Sequence, residues 1–196
     1  PDAAWAGSGA RVHDEARPAS VRLRREKKRR RPLEANRPDV QAKRHAYLTT
    51  VRRIPVARLV FLDESGMHLA MSRSHTWVKR GTEYIDPVPM NWGTTLTLLG
   101  AIRVDGWVVL RSMFATANGV RFVAWLTTHL LPKLRRGDVL VMDNLRAHHN
   151  LRVAPACRVH GVRVLYLPPY SPDLNPIEAG WALQKQPVRT VAPRTA

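Results

Sequence analysis

At 196 residues the chain has room for one domain with a hydrophobic core, or for one domain plus an arm. Its 32 Lys and Arg stand against 15 Asp and Glu, and a net charge of +17 points to a polyanionic partner, nucleic acid first. No apolar run is long enough to span a bilayer, and the lone Cys157 excludes a disulfide framework and a cysteine-type zinc site. The opening PDAAWAGSGARVHDE has neither the basic nor the apolar stretch of an export signal, so a cytoplasmic setting without a membrane is expected.

Charge divides the chain near residue 55. Through Arg53 there are 15 Lys/Arg and 6 Asp/Glu, densest in RLRREKKRRR from Arg22 to Arg31. Like charges so crowded do not build a core, and residues 1–54 are therefore expected to be a basic arm or linker carrying one helix. Arg24, Arg25, Lys27, Lys28, Arg29 and Arg30 are the candidate phosphate contacts, which would release counterions from DNA without reading its sequence. Pro38 and Asp39 suit a first helical turn, followed by Val40, Tyr47, Leu48 and Val51 at helical spacing.

Globular texture starts at residue 57. Leu59 to Leu62 is a continuous apolar run ending in Asp63, as in a strand buried on both faces. His75–Lys79 is a candidate second strand. Thr94–Val104 is rich in β-branched residues, and Asp105-Gly106 turns it into a hairpin with Trp107–Leu110. Asn118 is placed to cap a helix burying Phe122, Val123, Leu126 and Leu130. Gly137-Asp138 ends that helix and begins a buried strand, Val139–Met142, which also ends in an acid, Asp143. A helix around Leu151–His160 stops at Gly161, and Val162–Leu167 is a further buried run. The stiff loop PPYSPDLNP leads to a last helix, capped by Asn175 and started by Pro176, carrying Glu178 and Trp181. Antiparallel hairpins followed by strand–helix–strand–helix make this an α/β chain with a mixed sheet and helices on its faces.

Two apolar strands thus each deliver an aspartate at the carboxyl end, where α/β sheets bind their ligands. Neighbouring parallel strands would bring Asp63 and Asp143 together, and Glu178 on a helix across that edge would complete a cluster. Ionised carboxylates crowded together repel unless a cation joins them. Magnesium prefers hard oxygens and completes its shell with water and phosphate, and two such ions about 3.5–4 Å apart serve in-line displacement at phosphorus. Each acid also has a plainer reading. Asp63 could cap a turn through Ser65, Asp143-Asn144 could form an Asx-turn, and Glu178 could close a capping box with Asn175. Glu64, Asp86, Asp105, Asp138 and Asp173 are set aside, with Asp173 second choice for the third ligand. His148-His149 has no zinc-motif spacing. His148 could approach the phosphate or an aspartate, or pack at a helix start, and it joins Asn144 as an accessory candidate. Trp92 and Tyr170 could stack on a displaced base, although core or loop packing is the plainer role.

The strings FLDESG, HTWVKRG, GDVLVMDNLRAHH and LPPYSPDLNPIEAGW, with RPDV before them, closely resemble bacterial insertion-sequence transposases of the mariner-like superfamily over roughly residues 36 to 186. The 34 residues between Asp143 and Glu178 match the interval typical of that group. The resemblance implies an RNase H-like fold, here a five-stranded mixed sheet with its first three strands antiparallel and the rest parallel, at residues 55–186. By motif position it makes Asp63, Asp143 and Glu178 the catalytic DDE triad, holding two Mg2+ or Mn2+ ions. It further implies cleavage at transposon ends by an activated water, attack of the freed 3′-hydroxyl on target DNA at TA sites, and a homodimer on paired DNA ends in the bacterial nucleoid. Two departures are expected to matter. No recognition helix of a helix-turn-helix is evident, and Pro187 and Pro193 should break the final helix, leaving 187–196 as a truncated tail. An inactive DNA-binding relative, or a metal-dependent nuclease that does not join strands, are the competing functions.

Overall fold

A computed structural model describes residues 32–68, 70–73, 76–88, 95–113 and 118–191. The basic run from Arg24 to Arg30 lies outside these residues, as do His75 and Trp92. The chain divides into two units, 1–31 and 32–196, and only the second is described.

Five strands form one sheet in the order β3-β2-β1-β4-β5: β1 Leu59–Met67, β2 Leu96–Arg103, β3 Gly106–Met113, β4 Val139–Met142 and β5 Arg163–Tyr166. The first three are antiparallel neighbours, while β4 lies parallel to both β1 and β5. This is the mixed order expected. Thr76–Lys79 is not a strand, so the second strand is the β-branched run after residue 95, whose side chains fit a pleated, half-buried surface. The turn into β3 sets Gly106 at φ +125°, a backbone that side chains rarely adopt.

Among the described residues four α-helices cover the sheet: α1 Pro38–Val51, α2 Gly119–Trp125, α3 Val153–Val159 and α4 Ile177–Val191. Asn118 caps α2 as expected, its Oδ1 accepting from the Arg121 amide at 2.9 Å. That helix continues through a π turn, Leu126–Leu130, and buries Phe122, Trp125, Leu126 and Leu130 with Val60, Leu62, Leu99, Leu140 and Met142. Val153 and Cys157 of α3 complete this cluster. Tyr47 forms a second cluster with Leu59, Val139, Val141 and Leu167, with Leu48 and Val51 packed against it. Apolar contacts of Tyr47, Leu48 and Val51 thus pack α1 against the sheet's own core. Ile177 and Trp181 of α4 form a third cluster with Leu98, against which Phe61 and Trp107 pack.

The buried Asp138–Arg103 charges are paired. Asp138, just before β4, is wholly buried; its Oδ2 accepts from Arg103 Nη2 at 2.5 Å and from the Arg135 amide at 2.8 Å. The expected break at Pro187 does not occur, since α4 runs through it to Val191. Leu183, whose carbonyl loses its helical donor there, is exposed, so water can serve that oxygen and the cost of the proline is reduced. No helix among the described residues is long and apolar enough to cross a membrane.

Candidate active site

The parallel pairing of β1 with β4 ends at Phe61–Val141, and the two strands then part. β1 continues with β2 as far as Met67, so Asp63 is not the last residue of its strand; it is the first acid beyond the split on the β4 side. Asp143 directly follows Met142, the end of β4. Glu178 lies in the first turn of α4. A cavity of about 280 Å³ opens there, and all three acids line it. The remainder of its wall is Asn144, Leu145 and the loop from Leu167 to Pro172, with Asn175.

Asp63 is held from the α4 side. Its Oδ2 accepts from Trp181 Nε1 at 3.2 Å and from Asn175 Nδ2 at 3.4 Å. Burial pushes its carboxyl up to about 6, opposed by the Glu64 amide and raised further by Asp143 and Glu178. Such a group resists carrying a lone charge, and a cation is what would relieve it.

Asp143 has the opposite environment. Burial raises its carboxyl, but a hydrogen bond from His148 and another from the Leu145 amide outweigh that and hold it below the usual value. Both bonds land on Oδ1, at 2.7 Å from His148 Nδ1 and 3.1 Å from Leu145 N, so Oδ2 is the oxygen left for an ion. The Asx-turn reading of Asp143 is thus correct and compatible with a ligand role. Burial disfavours the charged form of His148, yet Asp143 and then Glu64 raise it to about 9. His148 is fully buried, its ring centroid 4.4 Å from that of Phe122 at a tilt of 45°, with its carbonyl accepting from Tyr166 Oη at 2.9 Å.

The other candidates sort themselves by their partners. Asn144 lines the cavity, but its amide is spent on Leu167 O at 2.5 Å and on His149 Nε2 at 3.2 Å, which ties the β4 end to the following loop. His149 stacks on Tyr166 and does not reach the acids. Asp173, the alternative third ligand, is engaged by Arg44 at 2.7 Å and 3.0 Å. Arg44 also donates to Ser171 Oγ, so α1 fixes the loop that walls the cavity. Asn175 closes no capping box with Glu178: its Nδ2 faces Asp63 and its buried Oδ1 has no hydrogen-bond partner. Tyr170 lines the cavity, half exposed, with a φ of 54°. Asn175, Trp181 and Glu64 were missed as site residues, because each acts across the fold and none carries a local signal beyond its place beside a motif acid.

The donors suit a hard divalent ion in kind: three carboxylates from β1, β4 and α4, with each aspartate tethered through one oxygen. Among the described residues no three acidic, histidine or cysteine side chains are yet grouped tightly enough to grip one ion.

An RNase H-like sheet with three acids around the split between its central strands defines a class of metal-dependent phosphodiester enzymes. The chain belongs to the DDE superfamily endonuclease family, whose model matches residues 58–194. It is 27% identical over 135 residues to the Transposable element Tc1 transposase of Caenorhabditis elegans, an alignment covering 64% of this chain and 50% of that protein. Among solved structures, the mariner Mos1 paired end complex with Mg matches with a TM-score of 0.68 at 19% identity, over 90% of this chain and 56% of that one. The catalytic domain of Mos1 mariner transposase matches at 0.53 and 19% identity, over 79% and 76%. These likenesses fix the fold. The chain spans about half the length of the Tc1 relative.

Proposed function

We propose that this chain is the catalytic part of a transposase, cutting DNA at transposon ends and joining the freed strand to target DNA. The observation that carries the reading is the meeting of Asp63, Asp143 and Glu178, remote in sequence, in one cavity of a DDE-family fold. Asp63, Asp143 and Glu178 would hold two Mg2+ or Mn2+ ions. Such ions, when bound, lower the pKa of an attacking water and neutralise charge on the leaving oxygen.

The protein's own share is positional. Trp181 and Asn175 set Asp63, the Leu145 amide and His148 set Asp143, and the start of α4 presents Glu178. Arg44 steadies the 168–173 loop, so one wall keeps its shape when a strand enters. The net charge of +17 draws the polyanion, with Arg24, Arg25, Lys27, Lys28, Arg29 and Arg30 as the proposed sequence-blind contacts. Target joining at TA sites and a homodimer on paired ends complete the proposal.

The test is nicking of DNA bearing candidate terminal repeats with Mn2+, followed by joining from a pre-cut 3′-hydroxyl end. Nicking by the parent and its loss in Asp143→Ala, with DNA binding retained, is the expected result. Binding without nicking in the parent would leave only a DNA-binding relative, and nicking without joining a simple nuclease.

A further inference from the structure

Glu64 follows Asp63 on β1, and strand alternation sends their side chains to opposite faces. Asp63 meets α4, whereas Glu64 meets His148 on the side covered by α2, where Phe122 packs at a tilt against the same imidazole. Glu64 Oε1 lies 3.6 Å from His148 Nε2, and His148 Nδ1 lies 2.7 Å from Asp143 Oδ1. Neither Glu64 Oε1 nor His148 Nε2 has a hydrogen-bond partner, and both atoms are buried. One ring therefore stands between two carboxylates, with Phe122 packed against it and its backbone pinned by Tyr166.

Even a partly buried acid is costly unless it is paired. If His148 served only to pack, position 64 would need no carboxylate; if it served only as a donor to Asp143, one nitrogen would suffice. One carboxylate hydrogen-bonded to Nδ1 and a second at ion-pair distance from Nε2 restrain the ring from both sides, which is how outer groups orient a ligand of an ion. We propose that Glu64 is a positioning residue of the metal site, setting the Asp143 carboxylate through His148 so that Oδ2 is presented to the ion. This rests on the ion-binding role proposed above.

The test is Mn2+ alone, titrated into the full chain and followed by the electron paramagnetic resonance signal of the free ion. Glu64→Met keeps the length and apolar fit but removes the acceptor; Glu64→Gln keeps an oxygen for Nε2. Glu64→Met is expected to weaken Mn2+ binding about ten- to a hundredfold, and Glu64→Gln to recover most of the loss. Melting in EDTA and DNA binding should stay near the parent in both. Glu64→Met combined with His148→Gln should bind no more weakly than the worse single variant, because the two residues act in series. Parental Mn2+ affinity in Glu64→Met, a Glu64→Gln loss as large as that of Glu64→Met, or additive losses in the double variant each overturn the proposal. A parent that binds no Mn2+ overturns instead the functional reading beneath it.

Discussion

At the scale of single residues, the two aspartates show how identical side chains acquire different duties. Asp63 is raised by burial and by its acidic neighbours, while Asp143 is lowered through His148 and the Leu145 amide. The tethers on Asp63 give the most direct test. Trp181→Phe keeps most of the ring packed on Trp107, whose centroid is 5.1 Å away, but loses the Nε1 donor to Asp63. It should weaken Mn2+ binding and nicking about tenfold or more while the melting temperature stays close to the parent. Equal Mn2+ affinity would show that this hydrogen bond positions nothing. Cys157 provides a control on the core. Burial pushes its thiol up to about 11, so at pH 8 it is almost wholly protonated as well as inaccessible. Alkylation by iodoacetamide at that pH should be about a hundredfold slower in the folded chain than in guanidinium, and fast labelling without denaturant would mean that α3 opens readily.

At the scale of elements, the site depends on how closely α4 lies on the sheet. Two glycines permit that approach. A Cβ on Gly100 would fall 2.5 Å from Trp107 and 2.7 Å from Trp181, and one on Gly180 would fall 2.9 Å from Trp107. Both indoles belong to the apolar cluster under α4, so neither yields easily. Gly100→Ala should destabilise by about 1–3 kcal/mol in urea unfolding through overpacking, and should lower Mn2+ affinity by shifting Glu178 with its helix. An unchanged midpoint would show that the tryptophans can move aside. This dependence also marks the limit of what could be read from sequence. The convergence of Asp63, Asp143 and Glu178 on one cavity was legible because two follow apolar strand runs and all three sit in characteristic strings. Trp181 and Asn175 reach Asp63 across 118 and 112 positions, and no local spacing reports such contacts. Pro187 misled for a related reason: the proline rule concerns a lost hydrogen bond, but exposure decides how much that loss costs.

At the scale of the molecule, the acidic cavity and the basic excess are complementary. Three carboxylates in one pocket would repel a phosphate backbone by themselves, so under the proposed function the net charge of +17 would let DNA approach them, and divalent ions would supply the last neutralisation. Much of that excess lies in the basic run, where Arg24, Arg25, Lys27, Lys28, Arg29 and Arg30 contribute six charges. If these six pair with phosphates, replacing them by glutamine should weaken binding equally for matched and unrelated DNA. The slope of log affinity against log salt should also become shallower by up to about five, at roughly 0.9 per phosphate contact. Mn2+ affinity should not change if the six bind phosphate alone. An unaltered salt slope would assign the DNA surface to the sheet domain itself. A loss confined to one DNA sequence would instead make the run a reader of bases, contrary to the phosphate role assigned to it.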